Sequence, residues 1–376
     1  GRERYAATHG RDAAAAQQRM LNETVDEVIA VAAREGIDAD IVKGGERNVA
    51  RNPAQLARLR AFVDAEAQWP HTDLELQDAA ATAERLRVSG AVGSAWHPHC
   101  ARVHPAKLVR GLAAAAERAG VVIHEGTTVS QIVPGVAVTD HGSVRAGTIV
   151  RATEGFTADL RGEHRTLLPM NSSMIATAPL PASFWDAVGW DGRETLGDLA
   201  HVYMYAQRTA DDRIAFGGRG VPYRYASHVD TDGTTQARTI ESLTALLRAF
   251  FPDAADVPID HAWSGVLGVP RDWSASVGLD AATGIGWAGG YVGTGVTATN
   301  LAGRTLADLV LRRDTELARL PWVGHRARRW EPEPLRWTAV QTIYAAYRAA
   351  DRAEASSGSE RTSVIAHAAD LIAGPH

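Results

Sequence analysis

The sequence predicts an α/β fold in which helices and strands alternate, with a more antiparallel middle. Three observations carry that prediction. Long stretches with apolar residues at helical spacing occupy the first third of the chain, as in residues 9–35, where Leu21, Val25, Val28, Ile29 and Ala32 share a face. Short β-type runs separated by turn residues fill the middle. A last apolar strand runs through glycines straight into a helix, in WAGGYVGTGVTATNLAGRTLADLVL, residues 287–311.

The elements follow in order. Gly36 stops the first helix. A second helix starts after Asn52-Pro53 and runs through Leu56, Leu59 and Phe62, because proline suits a first helical turn. Residues 79–87 form a shorter helix and 91–96 a strand. Residues 105–120 make an amphipathic helix with Leu108, Leu112, Ala115 and Ala116 on one face. VVIHEG (121–126), TVSQIV (128–133), VAVTD (136–140) and SVRAGTIVRAT (143–153) are expected strands. SSMIATAPL, HVYMYAQ and RIAFGGR continue them to Arg219. Residues 234–251 form a helix ended by Pro252, HAWSGVLGV (261–269) is a strand, and the tail turns helical from about Trp337.

Bulk properties exclude several classes. Among 376 residues, 39 basic and 44 acidic side chains give a net charge of −5, and they are interspersed, so nucleic acid is not an expected partner. A single cysteine, Cys100, rules out an internal disulfide and fits a reducing, cytoplasmic setting. No apolar run approaches the roughly 18 residues of a membrane helix. Lysine occurs only at Lys43 and Lys107, and the abundance of arginine and alanine suggests a GC-rich bacterial genome. The chain begins at Gly1 without methionine, so a fragment of a longer protein is expected.

Gly293-Thr-Gly295-Val-Thr-Ala298 matches G-x-G-x-x-A between a strand and a helix. A dinucleotide fingerprint also needs a second parallel strand ending in an acid about 20 residues on. RRDTELARLPWVGHR follows instead, so this is a closing strand and helix. The physics survives the exclusion. Backbone N–H groups at a helix N-terminus carry partial positive charge, and glycines let them approach a ligand. An electron-rich oxygen or ring nitrogen suits them as well as a phosphate. A turn needed only for packing is the plainer alternative, but four glycines within residues 289–295 exceed what one turn requires.

These segments, in this order, resemble the D-amino-acid-oxidase-type family of FAD-dependent oxidoreductases, and within it the amine-oxidising, γ-glutamylputrescine-oxidase-like branch. ARVHPAKLVRGLAAAAERAGVVIHEGTTVSQI (101–132) is similar to the family's helix–strand unit beneath the adenosine. ATEGFT (152–157) resembles its A-T-x-x-x-T loop, and SSMIATAPL its strand into the substrate domain. WSGVLGVPRDWSASVG (263–278) with GWAGGYVGTGV (286–296) resembles its closing pair. The resemblance covers most of residues 36–313. It implies an FAD-binding Rossmann-like domain, incomplete at the N-terminus, interleaved with an antiparallel-sheet substrate domain of α+β type. The expected division is 1–35 (a helix after the missing fingerprint), 36–100 (substrate segment), 101–165 (FAD segment), 166–262 (substrate domain), 263–313 (closing FAD segment) and 314–376 (helical tail). The family's opening strand–GxGxxG–helix has no counterpart here, which puts FAD binding by the chain alone in question.

The resemblance also implies roles. Val129 would contact the adenine side through its backbone, and Ala152, Thr153 and Gly155 would line the pyrophosphate. Gly289, Gly290, Tyr291, Val292, Gly293, Thr294, Gly295, Val296 and Thr297 would face the flavin pyrimidine edge and stabilise charge developing there. FAD would take a hydride at N5 from a carbon beside nitrogen, and the imine would hydrolyse; no side chain is a certain catalytic residue. Amino-acid oxidases of the family hold the substrate carboxylate with an arginine five residues before an aspartate. With Asp272 as that aspartate the position falls on Leu267, which favours an amine or a substrate whose carboxylate lies further away, although Arg219 or Arg271 could replace the clamp.

His201, Tyr203 and Tyr205 share a side of one expected strand, and Trp263 lies near the glycine turn. Tyr203, Tyr205, Trp263 and Arg219 are the substrate candidates. For the tyrosines, ordinary sheet aromatics are an equal reading; for Trp263 it is the weaker one, and Arg219 serves equally well as a surface or interface ion pair. WHPHCARVH places His97, His99, Cys100 and His104 close together, but Pro98 and Pro105 constrain the loop and no second ligand cluster follows, so no metal is expected. Two other functions stay open: an FAD-dependent amino-acid or sarcosine-type dehydrogenase, and a non-catalytic subunit lacking its own fingerprint. The Trp- and Arg-rich segment LPWVGHRARRWEPEPLRW reads as a strap across the FAD domain or as a dimer contact, with the strap preferred.

Overall fold

The computed structural model describes residues 2–218, 220, 222–229 and 233–373. Helices α1 (Arg2–His9) and α2 (Arg11–Arg34) lead into β1 (Glu46–Ala50). Helix α3 (Pro53–Glu66) starts where Asn52 accepts the Gln55 N–H at 2.8 Å, with Pro53 in the first turn. Strand β2 (Glu75–Asp78), helix α4 (Ala79–Arg85), strand β3 (Gly93–His97) and helix α5 (Pro105–Arg118) follow. The short strands β4 (Val129–Val133), β5 (Val136–Thr139), β6 (Gly142–Arg145) and β7 (Ile149–Arg151) precede β8 (Leu168–Thr177) and α6 (Ala182–Val188). Then come β9 (Thr195–Asp198), β10 (Met204–Arg208), β11 (Ile214–Gly218), α7 (Ala237–Phe250) and β12 (Ile259–Val269). Strands β13 (Ser276–Asp280) and β14 (Ile285–Gly289), helix α8 (Gly295–Val310), and helices α9 (Leu335–Ser357) and α10 (Val364–Ala373) complete the order.

The largest sheet has eight strands in the order β12-β8-β11-β10-β9-β1-β3-β2. All its pairings are antiparallel except β1 with β9. Side chains alternate across a strand, so the register sorts them onto two faces. One face carries Val49, Leu196, Met204, Phe216 and Ile175 and is buried against α6 and α7, through Phe184, Trp185, Leu243, Leu247 and Phe250. That packing is the main core. A small sheet, β13-β14-β7, pairs β14 parallel to β7 and is covered by α8. The third sheet is the meander β4-β5-β6.

Two expectations are corrected. VVIHEG forms no strand: Val121, Val122 and Ile123 are 53 %, 76 % and 40 % exposed, and no described strand pairs with them. An apolar run without a neighbour to take its N–H and C=O groups has nothing to hold it extended. HVYMYAQ is a strand only from Met204, since residues 201–202 form a turn. Strand β12 pairs with β8 in the large sheet through Val269.

The segment 320–330 straps the small sheet: Leu320 and Trp322 bury beside Val277, Tyr291 and Leu301. Helix α9 then crosses to the large sheet, where Val340 and Tyr344 pack with Leu168, Met170 and Val269. Among the described residues no helix is long and apolar enough to cross a membrane.

Candidate active site

Helix α8 begins with its N-terminus uncapped. Thr294 stands at the cap position but makes no capping bond, and its hydroxyl donates instead to the Tyr291 carbonyl at 2.8 Å. The first turn also carries no acid. Its N–H groups therefore keep the partial positive charge of a helix start. Gly293 bends the chain into this end at φ 102°, a conformation open mainly to glycine. Gly293, Thr294 and Val296 are exposed, so the end is accessible. These features suit an electron-rich ring edge or a phosphate, and the donors present fit a flavin pyrimidine edge.

The rest of the glycine turn behaves differently. The N–H groups of Gly290 and Tyr291 donate to Glu154 Oε1 at 2.7 and 3.3 Å, so they already have an acceptor inside the protein. The Tyr291 side chain is buried in the α8 core, and burial, with the nearby Glu154 charge, pushes its phenol up. Val292 packs beside Trp330 and Val340. The Tyr291 and Val292 side chains thus belong to the packing, and the accessible stretch narrows to residues 293–297.

The loop of Ala152, Thr153 and Gly155 reaches the same place. Gly155 is buried, and a Cβ on it would lie 2.9 Å from the Val266 side chain. The Thr153 and Thr157 hydroxyls bond at 2.8 Å, which closes the loop on itself. Val129 opens β4, and the next residue, Ser130, accepts the Arg161 N–H at 2.9 Å just beyond the loop. The segments expected to hold a cofactor, within residues 129–297, are linked by contacts of Ser130 with Arg161, Gly155 with Val266 and Glu154 with Gly290.

The second face of the large sheet meets the glycine turn. A Cβ on Gly293 would lie 3.8 Å from Leu267 Cδ1. Across from Leu267 the register places Met170, then Gly265 with Ser172 and Trp263 with Met174. Met174 pairs with Gly217, Gly217 with Tyr205, Tyr205 with Gly197, and Gly197 with Asn48. Glu46 is two residues from Asn48 on the same face, next to Thr195 and His97. Trp263 is 41 % and Tyr203 39 % exposed, and the two tyrosine rings lie 6.3 Å apart. The Tyr205 hydroxyl bonds to Ser172 Oγ. At the described strand positions this face carries no lysine or arginine, whereas it carries the acid Glu46, whose pKa is raised by burial. Glu46 was not among the residues singled out from the sequence.

Other candidates sit elsewhere. Arg219 lies outside the described residues. Arg271 pairs with Glu331 at 3.1 Å and stacks on Trp330, so its charge is used at the strap and it is no clamp on the sheet face. Asp272 is held by His325 at 2.8 Å; burial raises its pKa, but the bond to His325 and that ring's charge bring it below its ordinary value. His201 is no wall of the site either: its ring stacks on Tyr347 at 5.6 Å and its Nε2 lies 3.0 Å from Glu354. Glu354 also pairs with Arg58 at 2.8 Å and accepts the Ser363 N–H, while Asp351 accepts the N–H groups of His201 and Val202. His201, Asp351 and Glu354 have the spacing of metal ligands, but Arg58 already supplies the positive charge, and the group locks α9 to the β9–β10 turn. In WHPHCARVH, His99 bonds Asp73 at 2.7 Å, Cys100 bonds Thr195, and His104 caps α5.

The chain is similar to known proteins over most of its length. A family model described as DAO, FAD dependent oxidoreductase, matches residues 3–309. A probable oxidoreductase, OrdL, of Rhizobium meliloti is 31% identical over 256 residues, 66% of this chain and 56% of that protein. Gamma-glutamylputrescine oxidoreductase of Escherichia coli is 29% identical over 286 residues, 74% of this chain and 64% of that protein. The chain thus spans 56% and 64% of the length of these two relatives. Among solved structures, glycine oxidase from Geobacillus kaustophilus superposes with a TM-score of 0.68 at 21% identity, covering 84% of this chain and 83% of that one. Iminodiacetate oxidase from Chelativorans sp. BNC1 gives 0.65 at 18% identity, with 84% of each chain covered. At such identities these structures speak for the fold.

Proposed function

The chain belongs to the DAO family of FAD-dependent oxidoreductases, and from that premise we propose that it oxidises the C–N bond of an amine. One observation carries the reading. The sheet face that ends at the glycine turn is lined by Tyr203, Tyr205 and Trp263, holds Glu46, and carries no lysine or arginine at its described strand positions. An α-carboxylate would find no bidentate partner there, because Leu267 stands where an arginine would clamp it. An amine finds an apolar aromatic wall, which excludes water and favours the neutral form that gives up a hydride. A second, protonated nitrogen finds a counter-charge at Glu46.

FAD, when bound, supplies the hydride acceptor. Residues 293–297 would receive its electron-rich ring edge, Ala152, Thr153 and Gly155 its pyrophosphate, and Val129 its adenine side. The protein's own part is positioning and desolvation. Tyr203 and Trp263 would flank the substrate carbon chain, and Tyr205, fixed by Ser172, would keep one polar atom in the wall.

The test is reduction of the FAD-loaded protein under anaerobic conditions by a substrate panel. Amines of the γ-glutamylputrescine and polyamine type should bleach the flavin absorbance faster than glycine or simple D-amino acids. The reverse order sinks the amine reading in favour of an amino-acid or sarcosine-type dehydrogenase. Oxygen uptake with and without an artificial acceptor then identifies the electron acceptor. A chain that takes up no FAD at all would support the non-catalytic subunit.

A further inference from the structure

Glu154 sits in a loop of small residues with a left-handed backbone, φ 41°, a conformation unfavourable for a non-glycine residue. Its carboxylate gathers backbone N–H groups from two distant segments. Oε2 accepts from Gly268 at the end of β12 at 2.7 Å, and Oε1 accepts from Gly290 at 2.7 Å and Tyr291 at 3.3 Å. Glycine makes the approach possible: a Cβ on Gly268 would lie 2.5 Å from Oε2, and one on Gly289 3.3 Å from Oε1. Burial raises the pKa of this carboxylate and the three backbone bonds oppose that rise.

We propose that Glu154 is a positioning residue that divides the glycine cradle. Its carboxylate fills the inner half and fixes Gly290 and Tyr291, and this holds the outer half, residues 293–297, open for the FAD ring edge. The second part rests on the FAD reading above. Without an internal acceptor, the Gly290 and Tyr291 donors would be buried and orphaned, or would turn outward and change the shape of the turn. The arrangement also has an electrostatic consequence. A fixed negative charge beside the cradle opposes further negative charge on whatever ring edge the cradle holds.

The experiment uses Glu154→Gln, Glu154→Asp and Glu154→Ala in the full chain. Amide hydrogen exchange, read without any cofactor, reports the lock itself. In Glu154→Gln, exchange should quicken at least tenfold either at Gly268 or at the Gly290–Tyr291 pair, because the amide keeps one acceptor oxygen where the carboxylate uses one for each side. FAD fluorescence titration should show about tenfold weaker binding for Glu154→Gln, and Glu154→Asp should recover part of the loss. The midpoint potential of the bound flavin should move positive in Glu154→Gln. Unchanged exchange in Glu154→Gln overturns the lock. Quickened exchange with unchanged FAD affinity and potential overturns the link to the cofactor. If Glu154→Ala does not fold, the other two variants decide. Wild-type protein that takes up no FAD overturns the functional reading and the link, while exchange still judges the lock.

Discussion

The Tyr205 ring lies directly over Gly217: a Cβ added to Gly217 would sit 2.1 Å from Tyr205 Cε2. The two are cross-strand partners, so glycine on β11 provides the floor on which the aromatic wall rests. Gly217→Ala is expected to tilt the ring away from Ser172. Turnover of amines, as kcat/KM, should drop about tenfold, or about 1.4 kcal/mol, with Tm lowered by only a few degrees. Wild-type kinetics in this variant would remove Tyr205 from the substrate wall.

Leu267 offers a test of specificity in the opposite direction. Leu267→Arg places a guanidinium on the sheet face beside Gly293. The ratio of kcat/KM for an α-amino acid over an amine should rise at least tenfold. No change in the ratio would mean that the reacting carbon does not lie near β12.

Glu46 bears on the length and charge of the substrate. In Glu46→Gln, KM for a diamine should rise several-fold while KM for a monoamine of equal length stays within about twofold. Equal changes for both would make Glu46 a general structural group.

The lock on α9 depends on pH through Glu354. Burial alone would raise its pKa, but Ser363 N–H, His201 and Arg58 together hold it below its ordinary value of 4.5. The stability it contributes is therefore present above pH 4.5 and is lost as pH falls through the lower folded value. Proteolysis between α9 and α10 should accelerate only once the pH falls below 4.5. Glu354→Ala, which strands Arg58 and His201, should cost about 3 kcal/mol at neutral pH by denaturant titration.

Asp198 runs the other way. Burial, with the charge of Asp351 adding to it, pushes this carboxylate up to about 7, against bonds from the Met204 and Ala200 N–H groups. The folded state binds the proton more tightly, so stability falls as pH rises from about 4 and levels off above the folded value near 7. Asp198→Asn keeps an acceptor for Met204 and should raise Tm at pH 8 by clearly more than at about pH 4, where the carboxyl of the wild-type protein is still protonated in the fold. Parallel curves for the two proteins would show that Asp198 carries no such burden.

Much of the fold is legible in the sequence because local patterns suffice for it. Asn52-Pro53 marks the start of α3, the spacing of Leu243, Leu247 and Phe250 marks the buried face of α7, and the strand–glycine–helix passage marks α8. VVIHEG shows the limit: its composition is that of a strand, but a strand also needs a partner. The site is less legible. Glu154 carries one local hint, an acid among small loop residues, but its partners are 114 and 136 residues away. Glu46 joins Tyr205 only through β9, a strand that the pattern of TLGD does not announce.

The parallel pairing of β1 with β9 has a kinetic meaning. On one side of it, β1, β2 and β3 come from residues 46–97; on the other, β8 to β12 come from residues 168–269. Each block is antiparallel and sequence-local, so each can form early, whereas the seam between them closes a loop of well over a hundred residues. The seam should therefore be the last join made and the first to open. Glu46 and Asn48 lie on one bank and Tyr205 on the other, so the face does not exist until the two blocks meet. Refolding followed by intrinsic fluorescence should recover its main amplitude before amine turnover returns.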